Sequence, residues 1–221
     1  MTKLAHSYSA LKLYENCPLR YYRQRIAKDV VDKGGPASIA GERIHKQLED
    51  RLLTGAELPE ETRDFEKLCR KLDKYAEKWN LYPEQELALN QNLKPTGWWD
   101  QDAWFRGKID VLMVNQNGTK AVVLDWKTGK RRPDLFQMEI FAALVFEHYK
   151  SVQFVETSLV WLKEGTTDRL SVTRKERGHI WQEILKKVKR IEKSVEHETW
   201  PAKPSGLCPY CPARSTCDFA Y

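Results

Sequence analysis

At 221 residues, with 41% hydrophobic and 31% charged side chains, the chain has the composition of a globular protein that can bury a core without disulfide staples. The longest apolar run, "IFAALVF", is far below the ~20 residues of a membrane span, and the opening "MTKLAHSYS" carries no apolar leader, so membrane and secreted classes are not expected. The net charge of +6 favours a polyanionic partner, and five cysteines without a leader imply a reducing, cytoplasmic setting where thiolates bind metals more often than they pair.

In chain order, residues 7–28 read as a helix or turn-and-helix, with Tyr8, Leu11, Leu13 and Tyr14 ahead of Cys17 and Pro18. Residues 37–54 place Ile44, His45, Leu48 and Leu52 at helical spacing. Residues 60–80 repeat Phe65, Leu68, Cys69, Leu72, Ala76 and Trp79 as a second amphipathic helix, with Cys69 on its apolar stripe and so a core residue. Three strands follow at roughly 84–93, 104–114 and 119–126, the last two joined by the turn "NQNGT". Residues 134–149 form a strongly apolar helix with an Asp near its start. "VQFVETSLVWL" and "RLSVT" give two more strands, 175–197 a long basic helix, and the Pro-rich remainder an irregular segment. This succession predicts one α/β domain over 1–221.

The chemistry gathers around "VLDWKTGK". In a strand of period two, Asp125 and Lys127 share one face while Val122, Leu124 and Trp126 take the other. Asp110 ends "RGKID" in the middle of an apolar strand, where an acid is costly unless paired or bound to a cation. The hairpin sets Asp110 and Asp125 on neighbouring antiparallel strands. With His45 and Lys127 they compose a site suited to Mg²⁺ or Mn²⁺ that leaves positions for phosphate and water. Gly129, Lys130, Arg131 and Arg132 supply a flexible, positive approach for a phosphodiester. Trp98, Trp99 and Trp104, in "GWWDQDAWF", either join the core or stack unpaired bases.

"GERIH", "RGKID", "LDWKTGK" and "QMEIF", in that order, resemble the RecB-like branch of the PD-(D/E)xK nuclease superfamily. The resemblance implies a central mixed β-sheet flanked by helices, a restriction-endonuclease-like core at about 37–173. It implies that His45, Asp110, Asp125 and the Trp126 carbonyl bind the metal, that Lys127 holds the attacking water and steadies transition-state charge, and that Gln137 orients DNA or waters. Phe141 stands where tyrosine is commonest in the branch, and Glu86 matches its first-strand acid in a supporting role.

Cys208-x2-Cys211-x5-Cys217 places three thiols in a short irregular segment, with Cys17 nearly the whole chain away. Such a clasp joining the termini suits zinc or an iron–sulfur cluster equally by spacing. The layout is similar to the iron–sulfur nucleases of the superfamily, AddB and the CRISPR-associated RecB-like exonucleases, which implies a 4Fe–4S cluster. The expected function is a metal-dependent DNA exonuclease acting on single strands or ends, alongside a helicase, recombinase or integrase partner. A catalytically inert DNA-binding or scaffold subunit that keeps the clasp is the alternative.

Overall fold

The computed structural model describes residues 5–220. Along the chain come α1 (Tyr8–Asn16), α2 (Pro18–Tyr21) continuing into a π turn (Tyr22–Ile26), α3 (Pro36–Thr54), and a 3-10 turn (Glu60–Phe65) leading into α4 (Glu66–Ala76). Then follow β1 (Trp79–Leu89), β2 (Pro95–Thr96), β3 (Phe105–Asn115), β4 (Lys120–Lys127), α5 (Leu135–His148), β5 (Phe154–Trp161), β6 (Thr166–Thr173) and α6 (Arg177–Glu196). Two compact units result: Pro36–Trp181, and His6–Gly35 with Gln182–Tyr221.

The first unit is an α/β layer structure on a six-stranded sheet of order β2-β1-β3-β4-β5-β6. Every neighbouring pair is antiparallel except β4–β5, so the sheet is mixed, as expected. A parallel pair needs a crossover, and α5 provides it. Asp134 starts that helix by accepting the amides of Phe136 and Gln137, which leaves the apolar run that follows buried from Gln137 to Glu147 apart from Glu139. Another cluster holds Leu48 of α3 and Cys69 and Leu72 of α4 against Val111, Met113 and Trp126. Cys69 is thus a core residue, and burial pushes its thiol up to about 11.

The alternation of β4 runs as the pattern predicts, with Val122, Leu124 and Trp126 in that cluster and Asp125 reaching Gln137 of α5. β3 does not keep its alternation. A Cβ on Gly107 would stand 2.3 Å from Leu144 of α5, yet Val111, four residues on, packs with α3 and α4. The two-residue period therefore slips between them, and Asp110 lies at the slip. Gly107→Ala must push Leu144 out of a fully buried position, so it should cost about 1–3 kcal/mol of stability. Urea unfolding followed by tryptophan fluorescence would measure it.

Two boundaries differ from the sequence expectation. The helix expected to reach 80 stops at Ala76, and the first strand begins at Trp79 and not near 84. Trp79 and Leu81 do pack against the α3–α4 cluster, but as alternate residues of a strand, so the helical phase of Trp79 with Leu72 is fortuitous. Pro83 reads as a strand breaker, yet it pairs with Val111 within the ladder. The strand ends where the Asn90 side chain accepts the amides of Asn92 and Lys94.

The second unit has its own small core of Ala10, Leu11, Tyr21, Ile184, Val188, Ile191 and Ala213. Ser7 caps α1 by accepting the Ala10 amide. The Tyr14 hydroxyl donates to the Arg190 carbonyl and shares a 2.7 Å hydrogen bond with Ser194. Trp200 stacks on Tyr21, and Arg23 donates to the Thr216 carbonyl, so the two ends of the chain are stitched by side chains as well as by the Leu19–Pro201 backbone bond.

Candidate metal centre

Four elements of the first unit deliver side chains to one place. α3 brings His45, β1 Glu84, β3 Asp110 and β4 Asp125 with Lys127. Ligand atoms of His45, Glu84 and Asp110 lie within 4.8 Å of one another. His45 Nδ1 is 3.2 Å from Asp110 Oδ1, while the other Asp110 oxygen accepts the Trp126 amide at 2.6 Å. Gly41, one turn before His45, explains the glycine of "GERIH": a Cβ there would meet Thr128 Oγ1 at 2.8 Å. The helix can therefore lie close against the end of β4.

Asp125 lies outside the group of three and is held by two neighbours. Gln137 donates to its Oδ1 at 3.1 Å, and the Lys127 ammonium stands 2.5 Å from Oδ2. Oδ2 is buried, and its partner is the Lys127 ammonium, in an ion pair and not a well-directed hydrogen bond. Burial pushes the Asp125 carboxyl up to about 6 against the pull of Lys127, and the Asp110 charge adds to the rise. Burial would lower His45, but the hydrogen bond and charge of Asp110, with Asp125 and Glu84, bring it above its ordinary value. Glu84 is raised by burial, against its hydrogen bond from Lys108. Two carboxylates and an imidazole that hold protons this way, with the Asp110 carboxylate between them, fit a divalent cation.

His45, Glu84 and Asp110 open on a cleft of about 540 Å³ lined also by Ser38, Glu42, Lys46, Glu49, Lys108 and Thr128. Glu84 was not legible in the sequence. It falls opposite Asp110 in the β1–β3 register, between Pro83↔Val111 and Gln85↔Ile109, with a left-handed φ of 48°. Glu86, the expected first-strand acid, pairs in register with Lys108 and is solvent-exposed, outside the group. What distinguishes them is the left-handed backbone at Glu84, which only the structure shows.

The other expected residues divide. Trp126 buries its indole in the α3–α4 cluster and offers the site its backbone. Phe141 is buried beside Gly107, where it packs. Lys130 and Arg132 are exposed. Arg131 is already engaged: its guanidinium pairs with Asp168, which also accepts the Trp161 indole N–H. Trp104 is core, while Trp99 is 83% exposed.

In the second unit Cys17, Cys208, Cys211 and Cys217 are free thiols lining one cavity of about 40 Å³. The Lys203 amide donates to the Cys17 sulfur and the Ser205 amide to that of Cys208. Among the described residues no three of these sulfurs lie within 4.8 Å of one another.

The family model of the PD-(D/E)XK nuclease superfamily matches residues 5–218. Two solved structures share the fold. The protein SSO0001 is 16% identical with a TM-score of 0.51, over 98% of this chain and 87% of that one. A provisionally assigned exonuclease from Eubacterium rectale is 13% identical with a TM-score of 0.57, over 98% and 89%. No curated protein matches the chain.

Proposed function

The chain belongs to the PD-(D/E)XK nuclease superfamily, and we propose that within it this protein is a RecB-like, divalent-metal-dependent DNA exonuclease acting on single strands or ends. The observation that carries the reading is the His45–Glu84–Asp110 group, whose ligand atoms converge beside an Asp125 carboxylate fixed by Gln137 and Lys127.

His45, Glu84 and Asp110 would hold the metal, with Asp125 and the Trp126 carbonyl as further ligands. A bound Mg²⁺ or Mn²⁺ supplies Lewis-acid stabilisation of the phosphate and an acidified water. The protein's own residues do the rest. The Trp126 amide fixes one oxygen of Asp110 and the Gln137 amide one oxygen of Asp125, so each acid presents its other oxygen in a set direction. Lys127, whose ammonium pairs with Asp125, supplies positive charge toward the developing phosphoryl negative charge. Lys130 and Arg132 contact the DNA backbone, and Arg131 shapes the loop between them through Asp168.

In the second unit the four cysteines would hold a 4Fe–4S cluster of structural role. The four thiols line one cavity, and the similarity of their layout to the iron–sulfur nucleases of the superfamily favours a cubane, which binds each thiolate to a different iron, over zinc.

The test is incubation with end-labelled linear and with circular single strands, in Mn²⁺, Mg²⁺ or EDTA. Loss of the linear strand alone, abolished by EDTA, is the expected result, and cleavage insensitive to EDTA would remove the metal reading. Both His45 and Asp125 must shed a proton to ligate, and both have raised pKa values. Protons therefore compete with the metal, so the Mn²⁺ concentration for half-maximal cleavage should rise as pH falls through about 6. Calorimetry in buffers of different ionisation enthalpy should show proton release on Mn²⁺ binding near that pH.

A further inference from the structure

Trp99 is the most exposed aromatic in the first unit, and it is not on a loose loop. Asp100 ties the turn that carries it: its Oδ2 accepts the Thr96 hydroxyl at 2.7 Å and the Gly97 amide at 2.6 Å, and its carbonyl accepts the Ala103 amide. A Cβ on Gly97 would strike the Asp100 carboxylate at 2.7 Å, so the turn needs that glycine. A rigid segment thus presents a large apolar ring to water, an arrangement that gains nothing for folding.

Arg106 of β3 stands over both neighbouring indoles, its guanidinium carbon 5.6 Å from the Trp98 ring centre and 5.8 Å from that of Trp99. Among the described residues it forms no ion pair, and its buried Nε has no hydrogen-bond partner. A cation without a counter-charge, set among indoles, matches the two parts of a nucleotide: a π-face and a phosphate. Its place on the strand ties it to the cleft. Arg106 precedes the cleft residue Lys108 by two positions and so shares its face, and Asp110 lies about 13 Å further along at ~3.3 Å per residue.

We propose that Trp98, Trp99 and Arg106 form a stacking platform for an unpaired base of the DNA strand entering the cleft, with Arg106 also holding the adjoining phosphate. Bases inside a duplex are already stacked and offer no free face, so the platform selects single strands. This rests on the nuclease reading for the strand's destination, not for its capture.

The experiment measures fluorescence anisotropy of a labelled oligothymidylate and of a blunt duplex of equal length, in EDTA, with the full chain and its Trp99→Ala, Trp99→Phe and Arg106→Gln variants. Trp99→Ala should weaken single-strand binding by about tenfold, the equivalent of ~1.4 kcal/mol of stacking, with duplex binding unchanged and Trp99→Phe restoring most of the loss. Arg106→Gln should weaken it and flatten its salt dependence. Unchanged single-strand affinity in Trp99→Ala, or equal losses on duplex and single strand, would overturn the platform. So would a change in sedimentation mass with DNA binding intact, which would make the indoles a protein contact. Cleavage by the wild type in Mn²⁺ is scored separately: a cleaving enzyme whose Trp99→Ala variant binds normally removes only the platform. A non-cleaving protein whose variant binds weakly removes only the nuclease reading.

Discussion

Asp110→Asn should reduce DNA cleavage by roughly a thousandfold or more, because the several kcal/mol of charge stabilisation that a metal supplies depend on its carboxylate ligands. Asparagine keeps an oxygen for the Trp126 amide and a similar volume, so the local hydrogen bond survives and only the charge is lost. Lys127→Met should cause a loss of the same order, with Mn²⁺ binding retained, since Lys127 supplies charge and not ligation. The measurement is single-turnover cleavage of a labelled strand, with circular dichroism to verify the fold. Undiminished cleavage by folded Asp110→Asn would mean that the reaction occurs elsewhere.

Cys208→Ser should have the largest effect on stability. The second unit buries few large side chains, so a four-thiolate cluster would supply much of its cohesion. Losing several kcal/mol implies a thermal midpoint lower by ~10 °C or more in a chain of this size, together with loss of iron and of brown colour. Cys69→Ser places a hydroxyl in the α3–α4 cluster, a loss of about 1–3 kcal/mol with iron unchanged. Anaerobically purified wild type should carry about four irons per chain. Stoichiometric zinc in colourless protein would overturn the cluster.

Period-two and helical spacing made much of this legible. Asp125 and Lys127 emerge on one face of β4, Cys69 sits in the core, and the crossover helix starts at its Asp. What escaped the sequence lies where the backbone departs from those periods. Glu84 was missed because a left-handed residue after Pro83 carries it to Asp110, whereas regular alternation puts Glu84 and Glu86 on equal terms. The slip in β3 was equally hidden, since Gly107 and Val111 look like one face in the sequence. Arg131 reads as part of a basic run, and only the fold supplies the Asp168 that engages it. The division into two compact units likewise depends on contacts between segments far apart in sequence, which composition does not reveal.

The second unit draws on His6–Gly35 and Gln182–Tyr221, with the whole sheet encoded between them. On a ribosome adding ~5–20 residues per second, Cys17 waits on the order of 10–40 s before Cys208 exists. During that interval the first segment has neither its hydrogen-bond partners nor its companion thiols, while the sheet can already assemble from contiguous chain. Maturation is therefore ordered in time: the sheet-bearing unit can form ahead of the cysteine-bearing one, and any metal that the four thiols take up must arrive after Cys208 is made.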